Sequence, residues 1–142
     1  MNFATMTAVA VLVLAAPAEA ANFSGKWVGK AIATSATDRF ECLVTLTVTQ
    51  TDTTYSQTFR FTRDGGHGRF NLDTTTFTIR GHDLLLEGEL AGSISDTDVS
   101  TMVDDGWTIQ SRSIDDATLS LTVAVADPGG PPILSIKGEL RR

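Results

Sequence analysis

The sequence predicts an all-β fold, a single antiparallel meander barrel of about eight to ten strands. Apolar and polar residues alternate with a period of two in nearly every segment, as Val44, Leu46 and Val48 do with the threonines between them. No segment of useful length has helical spacing. Residues typical of turns recur at 51–54, 64–66, 73–75, 81–83, 104–106, 115–116 and 127–132. Many short strands at this spacing are typical of a barrel or a sandwich.

The first twenty residues have the pattern of a secretory signal peptide. An apolar run at 8–16 is followed by Pro17 and by Ala18-Glu19-Ala20, a triplet with small outer residues that suits signal peptidase. The run is too short to cross about 30 Å of hydrocarbon, which argues against a membrane anchor. One feature departs from the signal-peptide pattern, because no Lys or Arg precedes the run. We therefore expect a signal peptide at 1–20, a single domain at 21–142, a periplasmic or secreted location, and no membrane anchor after cleavage.

The composition of the chain fits one globular domain without covalent cross-links. Of its 142 residues, 42% are hydrophobic, which is too many for a disordered chain and enough for one core. Cys42 is the only cysteine and lies in phase with Val44 and Leu46, so we expect a small buried side chain rather than a reactive thiol. The balance of 11 basic against 17 acidic residues argues against a nucleic-acid partner.

Apolar residues can be paired across the turns, and these pairs predict the strand registers. In chain order, the predicted partners are Phe61 with Phe70, Phe59 with Leu72, Leu72 with Phe77, Phe70 with Ile79, Trp107 with Val123, Ile109 with Leu121, Val125 with Leu134, Val123 with Ile136, and Leu119 with Leu140. The third and fourth pairs require a turn at 73–76. Together the pairs predict a meander of consecutive hairpins.

Two similar segments, 84–90 and 134–140, each place a glycine on the apolar face of a predicted strand. The glycines are Gly88 and Gly138. A glycine there weakens a flat strand but permits the sharp coiling that closure of a barrel requires. This observation favours a barrel over a sandwich.

The segment Phe23-Ser24-Gly25-Lys26-Trp27 at the start of the first strand resembles the Gly-x-Trp start of lipocalins and the similar first strand of avidins, which together form the calycin group. The resemblance implies that Trp27 plugs the closed end of a meander barrel. It also implies a basic residue from a late strand stacked on Trp27, for which Arg141 and Arg142 are the candidates. Avidins line their biotin site with several tryptophans, whereas this chain has two, so we do not expect biotin binding.

The candidate ligand-binding residues are aromatic residues on the inward faces of the predicted strands. A barrel of about eight strands has room inside for side chains alone or for one small ligand. Tyr55 and Trp107 adjoin turns and have polar tips, so we expect them at a rim, with Phe59 and Phe61 nearest the pocket. The wider candidate lining adds Phe70, Phe77 and Ile109. The alternative interpretation is that all of these side chains are ordinary core.

His67 and His82 face each other in the predicted register that turns at 73–76. With Asp64 and Asp83 beside them they could form part of a divalent-metal site. The alternative is two solvated histidines, because no third ligand is secured. We expect no stoichiometric zinc and no cofactor.

Charge is divided along the chain. Residues 60–80 carry a net charge of +2, and residues 83–116 carry −8. The registers place Arg60, Arg69 and Arg80 on one outward face, which could be an anion or partner site or ordinary surface charge.

The sequence therefore predicts a barrel that binds a small apolar or amphipathic ligand. It has no nucleophile elbow, no His-Glu-x-x-His and no phosphate-binding loop, so we name no catalytic residue and leave an enzymatic role open. The alternative is a protein–protein interaction module, such as an inhibitor of an exported enzyme, which would act through the loop 127–132 or the arginine face.

Overall fold

The computed structural model describes residues 22–63, 68–103, 106–127 and 130–142, so the expected signal peptide at 1–20 lies outside the described residues. The described residues form ten strands: β1 (Gly25–Ser35), β2 (Arg39–Gln50), β3 (Thr54–Arg63), β4 (Arg69–Arg80), β5 (Asp83–Leu86), β6 (Glu89–Ile94), β7 (Asp98–Val103), β8 (Trp107–Asp115), β9 (Thr118–Ala126) and β10 (Pro132–Arg141). Consecutive strands pair antiparallel, and β10 pairs with β1. This ring confirms the predicted all-β meander barrel.

The strand connections alternate between two ends of the barrel, which we name after their tryptophans. The Trp27 end carries residues 22–24, Arg142 and the turns after β2, β4, β6 and β8. The Trp107 end carries the turns after β1 and β5 and the flanks of the connections after β3, β7 and β9. No helix among the described residues is long and apolar enough to span a membrane.

Five of the predicted cross-strand pairs are confirmed. They are Phe61 with Phe70, Phe59 with Leu72, Val125 with Leu134, Val123 with Ile136, and Leu119 with Leu140. The pairing of β8 is shifted by two residues from the prediction, because Trp107 lies opposite Val125 and Ile109 opposite Val123. A shift of two keeps every side chain on its predicted face, since side chains alternate with a period of two.

The predicted turn at 73–76 is wrong, because β4 continues through it as one strand of 12 residues. Gln57 pairs with Thr75 and Phe59 with Leu72, so β4 has one more residue than β3 between these two pairs. The extra residue is accommodated as a β-bulge. The predicted pairs of Leu72 with Phe77 and Phe70 with Ile79 therefore do not form.

The two glycines of the similar segments have different roles. Gly138 lies on the inward face of β10 beside Ala31 of β1, and a Cβ there would be 2.6 Å from the Lys30 carbonyl oxygen. This close approach supports the prediction that a glycine on the apolar face allows the barrel to close, here between β10 and β1. Gly88 instead forms the two-residue turn between β5 and β6 with Glu87, and both have positive φ, 85° and 53°. The expected strand through Gly88 is therefore wrong, since positive φ at both positions is typical of a type I′ hairpin.

The core lies inside the ring and is formed by side chains from every strand. The largest fully buried side chains are Trp27, Tyr55, Phe23, Phe59, Phe77, Leu46, Leu84, Ile109, Leu119, Leu121, Ile136 and Leu140. Cys42 is free and buried as expected, and its thiol lies 3.6 Å from the Ala31 carbonyl oxygen. Desolvation raises the pKa of this thiol, which makes it a small hydrophobic group rather than a nucleophile.

The three arginines of the expected outward face are all exposed but do not lie together. Arg60 and Arg69 flank Asn71 near the Trp107 end of β3 and β4. Arg80 is the last residue of β4, at the Trp27 end, where it pairs with Asp83. Because β4 is one strand, its length separates Arg80 from Arg69, and the predicted three-arginine patch is wrong.

Candidate functional site

Four aromatic rings form a connected group that leads from the core to the Trp107 end. Phe59 is fully buried, and its ring centroid is 6.0 Å from that of Phe61 and 6.2 Å from that of Trp107. Phe61 is 5.7 Å from Phe70, and Phe70 stacks on Trp107 at 4.5 Å with an interplanar angle of 9°. Phe61, Phe70 and Trp107 are only partly buried. The group therefore joins the apolar interior to solvent-accessible ring surface.

The register explains why these rings converge. Phe61 and Phe70 are direct partners near the Trp107 end of β3 and β4, and both face inward. Trp107 is the first residue of β8, which does not adjoin β4 in the ring. The stack of Phe70 on Trp107 therefore bridges the interior at this end. Stacked and tilted ring pairs of this kind contribute about 0.5–1.5 kcal/mol beyond the burial of their surface.

Further side chains surround this group at the same end. Phe40, Leu86 and Leu134 are partly buried against the core. The Arg63 guanidinium lies 4.3 Å from the centroid of the Phe40 ring and 3.1 Å from the Asp38 carboxylate. The Trp107 end thus has apolar side chains packed against the core and charged side chains at its edge. The sequence analysis missed Phe40, although its phase with Cys42 and Val44 was a usable signal.

Tyr55 does not belong to this group. It is the second residue of β3, at the Trp27 end, and it is fully buried beside Phe77, with the ring centroids 6.4 Å apart. No described side chain or backbone group is a hydrogen-bond partner of its hydroxyl. Burial raises the pKa of that hydroxyl, so Tyr55 stays neutral. The expectation that Tyr55 and Trp107 share an exposed rim is wrong.

At the Trp27 end, the N-terminal segment and the C-terminal residue cover Trp27. The indole nitrogen of Trp27 donates a hydrogen bond to the Phe23 carbonyl oxygen at 2.9 Å, and both side chains are buried. The Arg142 guanidinium lies 4.4 Å from the Trp27 ring centroid. It also donates to the carbonyl oxygens of Ser24, at 2.6 Å, and Asp116, at 2.8 Å. Of the two candidates, Arg142 is therefore the residue that stacks on Trp27.

A polar pair crosses the middle of the barrel interior. The Gln57 side-chain amide donates to the Thr101 hydroxyl at 2.7 Å, and both residues are buried. They lie on β3 and β7, which are not neighbours in the ring. The sequence analysis missed this contact, although Gln57 lies in phase with Tyr55 and Phe59. Between Phe59 and the Trp27 end, the interior is therefore crossed by hydrogen-bonded side chains. The accessible ring surface lies at the Trp107 end.

The expected pair of histidines is not supported. Its register required the turn at 73–76, which does not form, and His67 lies outside the described residues. His82 is in the turn after β4, where its Nδ1 is 3.0 Å from the Ile94 carbonyl oxygen. Within the described ranges, no three or more His, Cys, Asp or Glu residues are grouped so that they could hold a metal ion.

Comparisons with protein-family models and with curated sequences found no match. No protein-family model matches the chain, and no curated protein matches its sequence. The structural observations that bear on function are the aromatic group at the Trp107 end, the contact of Arg142 with Trp27, and a cleft of about 480 Å³ at the Trp27 end whose lining includes Ile79, His82 and Ile94.

Proposed function

We propose that the protein binds a small apolar or amphipathic ligand at the Trp107 end, through Phe59, Phe61, Phe70 and Trp107. The observation that carries this proposal is the connected group of rings, fully buried at Phe59 and partly exposed at the other three. A concave apolar surface with a few polar groups is the usual form of a small-molecule site. Tyr55 is left out of the proposed site because it lies buried at the other end.

The chemistry of this end suits a ligand with an apolar body. Covering about 200 Å² of apolar surface contributes about 5 kcal/mol at roughly 25 cal/mol per Å². On its own this contribution corresponds to a dissociation constant of about 0.2 mM, and association costs offset part of it, so we expect an affinity in the high micromolar to millimolar range. The ion pair of Arg63 with Asp38, beside Phe40, offers polar groups to the polar tip of an amphipathic ligand.

The proposal is tested with 1-anilinonaphthalene-8-sulfonate, an amphipathic probe whose fluorescence rises in apolar surroundings. We expect saturable binding of one probe per chain and a loss of at least tenfold in affinity for Trp107→Ala. The matched control is Leu90→Ala, which removes a side chain that is 69% exposed. Equal affinity of both variants and the wild type would remove the basis for a site at this end.

Native mass spectrometry of the purified protein distinguishes the ligand proposal from the interaction-module alternative. A co-purifying small molecule supports the ligand proposal. Recovery of a stoichiometric protein partner, together with no bound small molecule and no probe binding, would overturn it. The interaction module would act through the loop 127–132, of which the structure describes residues 127 and 130–132. There the Gly130 backbone N–H donates a hydrogen bond to the Asp127 carbonyl oxygen at 2.8 Å.

We also propose that the protein is an exported member of the calycin group. The support for the group is the plug formed by Trp27 and Arg142, which is the arrangement that the Gly-x-Trp resemblance implies. The support for export is the pattern of residues 1–20. Intact mass analysis of protein recovered from outside the cytoplasm tests the second point, since cleavage after Ala20 gives a chain that begins at Ala21.

A further inference from the structure

Basic residues are concentrated on one half of the barrel wall. The strands β10, β1, β2, β3 and β4 are consecutive around the ring. They carry, with the residue directly after β10, ten of the eleven Lys and Arg residues of the chain: Lys26, Lys30, Arg39, Arg60, Arg63, Arg69, Arg80, Lys137, Arg141 and Arg142. The described acidic residues of the same strands and of the turns between them are Asp38, Glu41, Asp52, Asp73 and Glu139. We call this half the basic sector.

The other half of the wall has the opposite charge. The strands β5 to β9 contain one basic residue, Arg112, whose guanidinium lies 2.8 Å from the Asp98 carboxylate. The described acidic residues of this half, with its turns, are Asp83, Glu87, Glu89, Asp96, Asp98, Asp115 and Asp116. The chain therefore has an electrostatic polarity across the barrel that its net charge of −6 conceals. A molecule of this kind presents its basic sector to an anionic surface.

A groove of about 560 Å³ lies on the outer wall of the basic sector. It is lined by Ile32, Thr34, Arg39, Ser135 and Lys137, from β1, β2 and β10. Ile32 pairs with Lys137, and Thr34 pairs with both Arg39 and Ser135. Neither Arg39 nor Lys137 forms a salt bridge with any described residue. Two cations and two hydroxyls around one aliphatic side chain suit the phosphate of a lipid headgroup.

Aliphatic side chains stand exposed beside these cations. Leu43 is 50% exposed and pairs with Lys30 across β1 and β2. Ile133 is 51% exposed and lies two residues before Ser135 of the groove. Exposed aliphatic residues among basic ones fit the interface of a bilayer, where the apolar side chains enter between headgroups. A soluble polyanion offers such side chains no apolar surroundings.

We propose that the basic sector docks on an anionic phospholipid surface, with a headgroup phosphate in the groove between Arg39 and Lys137 and with Leu43 and Ile133 in the interface. The contact is peripheral, made by the outer wall of the barrel. It does not depend on the ligand site at the Trp107 end, because none of these four side chains belongs to that group of rings.

The test is co-sedimentation of the full chain with vesicles of phosphatidylglycerol and phosphatidylcholine in equal amounts, compared with pure phosphatidylcholine vesicles. We expect binding to the anionic vesicles that weakens strongly between 50 and 500 mM salt, roughly the range in which surface charge becomes screened. Each basic residue near such a surface changes the affinity by about fivefold, so Arg39→Ala/Lys137→Ala should bind roughly 30-fold more weakly. Equal binding to both kinds of vesicle would overturn the proposal and would indicate insertion of an apolar segment such as 8–16.

Two further variants make the test specific. Met102→Glu/Gln110→Glu alters exposed residues of the acidic half and lowers the net charge by two, as the double alanine variant does, yet we expect it to bind like the wild type. If this control lost as much vesicle binding as the double alanine variant, net charge alone would govern binding, and the proposal that the basic sector is the docking surface would be wrong. Leu43→Ser/Ile133→Ser should weaken binding by about tenfold. Unchanged binding of that variant would contradict a lipid interface and favour a soluble polyanion.

Discussion

Replacing Arg142 with Ala should destabilise the protein by removing part of the cover of Trp27. The guanidinium lies 4.4 Å from the Trp27 ring centroid, and an exposed cation–π contact of this kind contributes about 0.5–1 kcal/mol. Its hydrogen bonds to the carbonyl oxygens of Ser24 and Asp116 add about 1 kcal/mol each. We therefore expect the free energy of unfolding to fall by about 2–3 kcal/mol.

The assay is urea denaturation followed by far-UV circular dichroism, with Arg141→Ala as the matched control. Arg141 has the same charge and an adjacent position, but its one described side-chain hydrogen bond is that to the Thr118 hydroxyl, at 3.4 Å. We expect this control to lose less than about 1 kcal/mol, as most surface substitutions do. If Arg141→Ala and Arg142→Ala lower the free energy of unfolding equally, the stacking of Arg142 on Trp27 does not stabilise the Trp27 end.

Three further substitutions, measured by the same denaturation, test the interior. Thr101→Val leaves the buried Gln57 amide unpaired and should lower the free energy of unfolding by about 1–3 kcal/mol. Adding Gln57→Met to the same chain should restore most of this loss, and a double variant in which the two effects simply add would contradict the contact. Tyr55→Phe removes a buried hydroxyl without a described partner and should raise the free energy of unfolding by about 1 kcal/mol; a decrease would reveal a partner. Gly138→Ala brings a methyl group to 2.6 Å from the Lys30 carbonyl oxygen and should lower the free energy of unfolding by about 1–3 kcal/mol. An unchanged free energy of unfolding would mean that β1 and β10 lie farther apart.

The fold was predictable where alternation was regular. The pairs of β9 with β10 and of β3 with the first part of β4 follow directly from the apolar residues on one face. The prediction failed at 73–76 because Asp73 followed by three threonines is typical of a turn, while threonine is also a good strand residue. Backbone pairing with β3 decides between the two, and a bulge absorbs the extra residue.

The same kind of error misplaced Tyr55 relative to Trp107. Each turn reverses the chain, so the number of turns between two strands decides whether they begin at the same end. The sequence showed four turn signals between Tyr55 and Trp107, which would place both at one end. The structure has five connections between β3 and β8, because 73–76 is not a turn whereas 87–88 and 95–97 are. The net difference of one turn places Tyr55 and Trp107 at opposite ends.

The candidate site was predictable in composition but not in arrangement. Phe59, Phe61 and Trp107 were identified because they are aromatic and in the inward phase of their strands. The stack of Phe70 on Trp107 joins β4 and β8, which are neither consecutive in the chain nor paired in the ring. Contacts across a barrel interior depend on its closure and on the tilt of its strands, and neither is determined by local alternation.

The most direct test of a ligand site beside the partly buried Trp107, and of a Trp27 buried at the opposite end, is acrylamide quenching of two variants with a single tryptophan. In Trp27→Phe the remaining fluorescence comes from Trp107, and in Trp107→Phe it comes from Trp27. We expect acrylamide to quench Trp107 several-fold more strongly than Trp27, and saturating dodecanoate to protect Trp107 alone. Equal quenching of the two tryptophans, or dodecanoate that leaves the quenching of Trp107 unchanged, would contradict a ligand site at the Trp107 end.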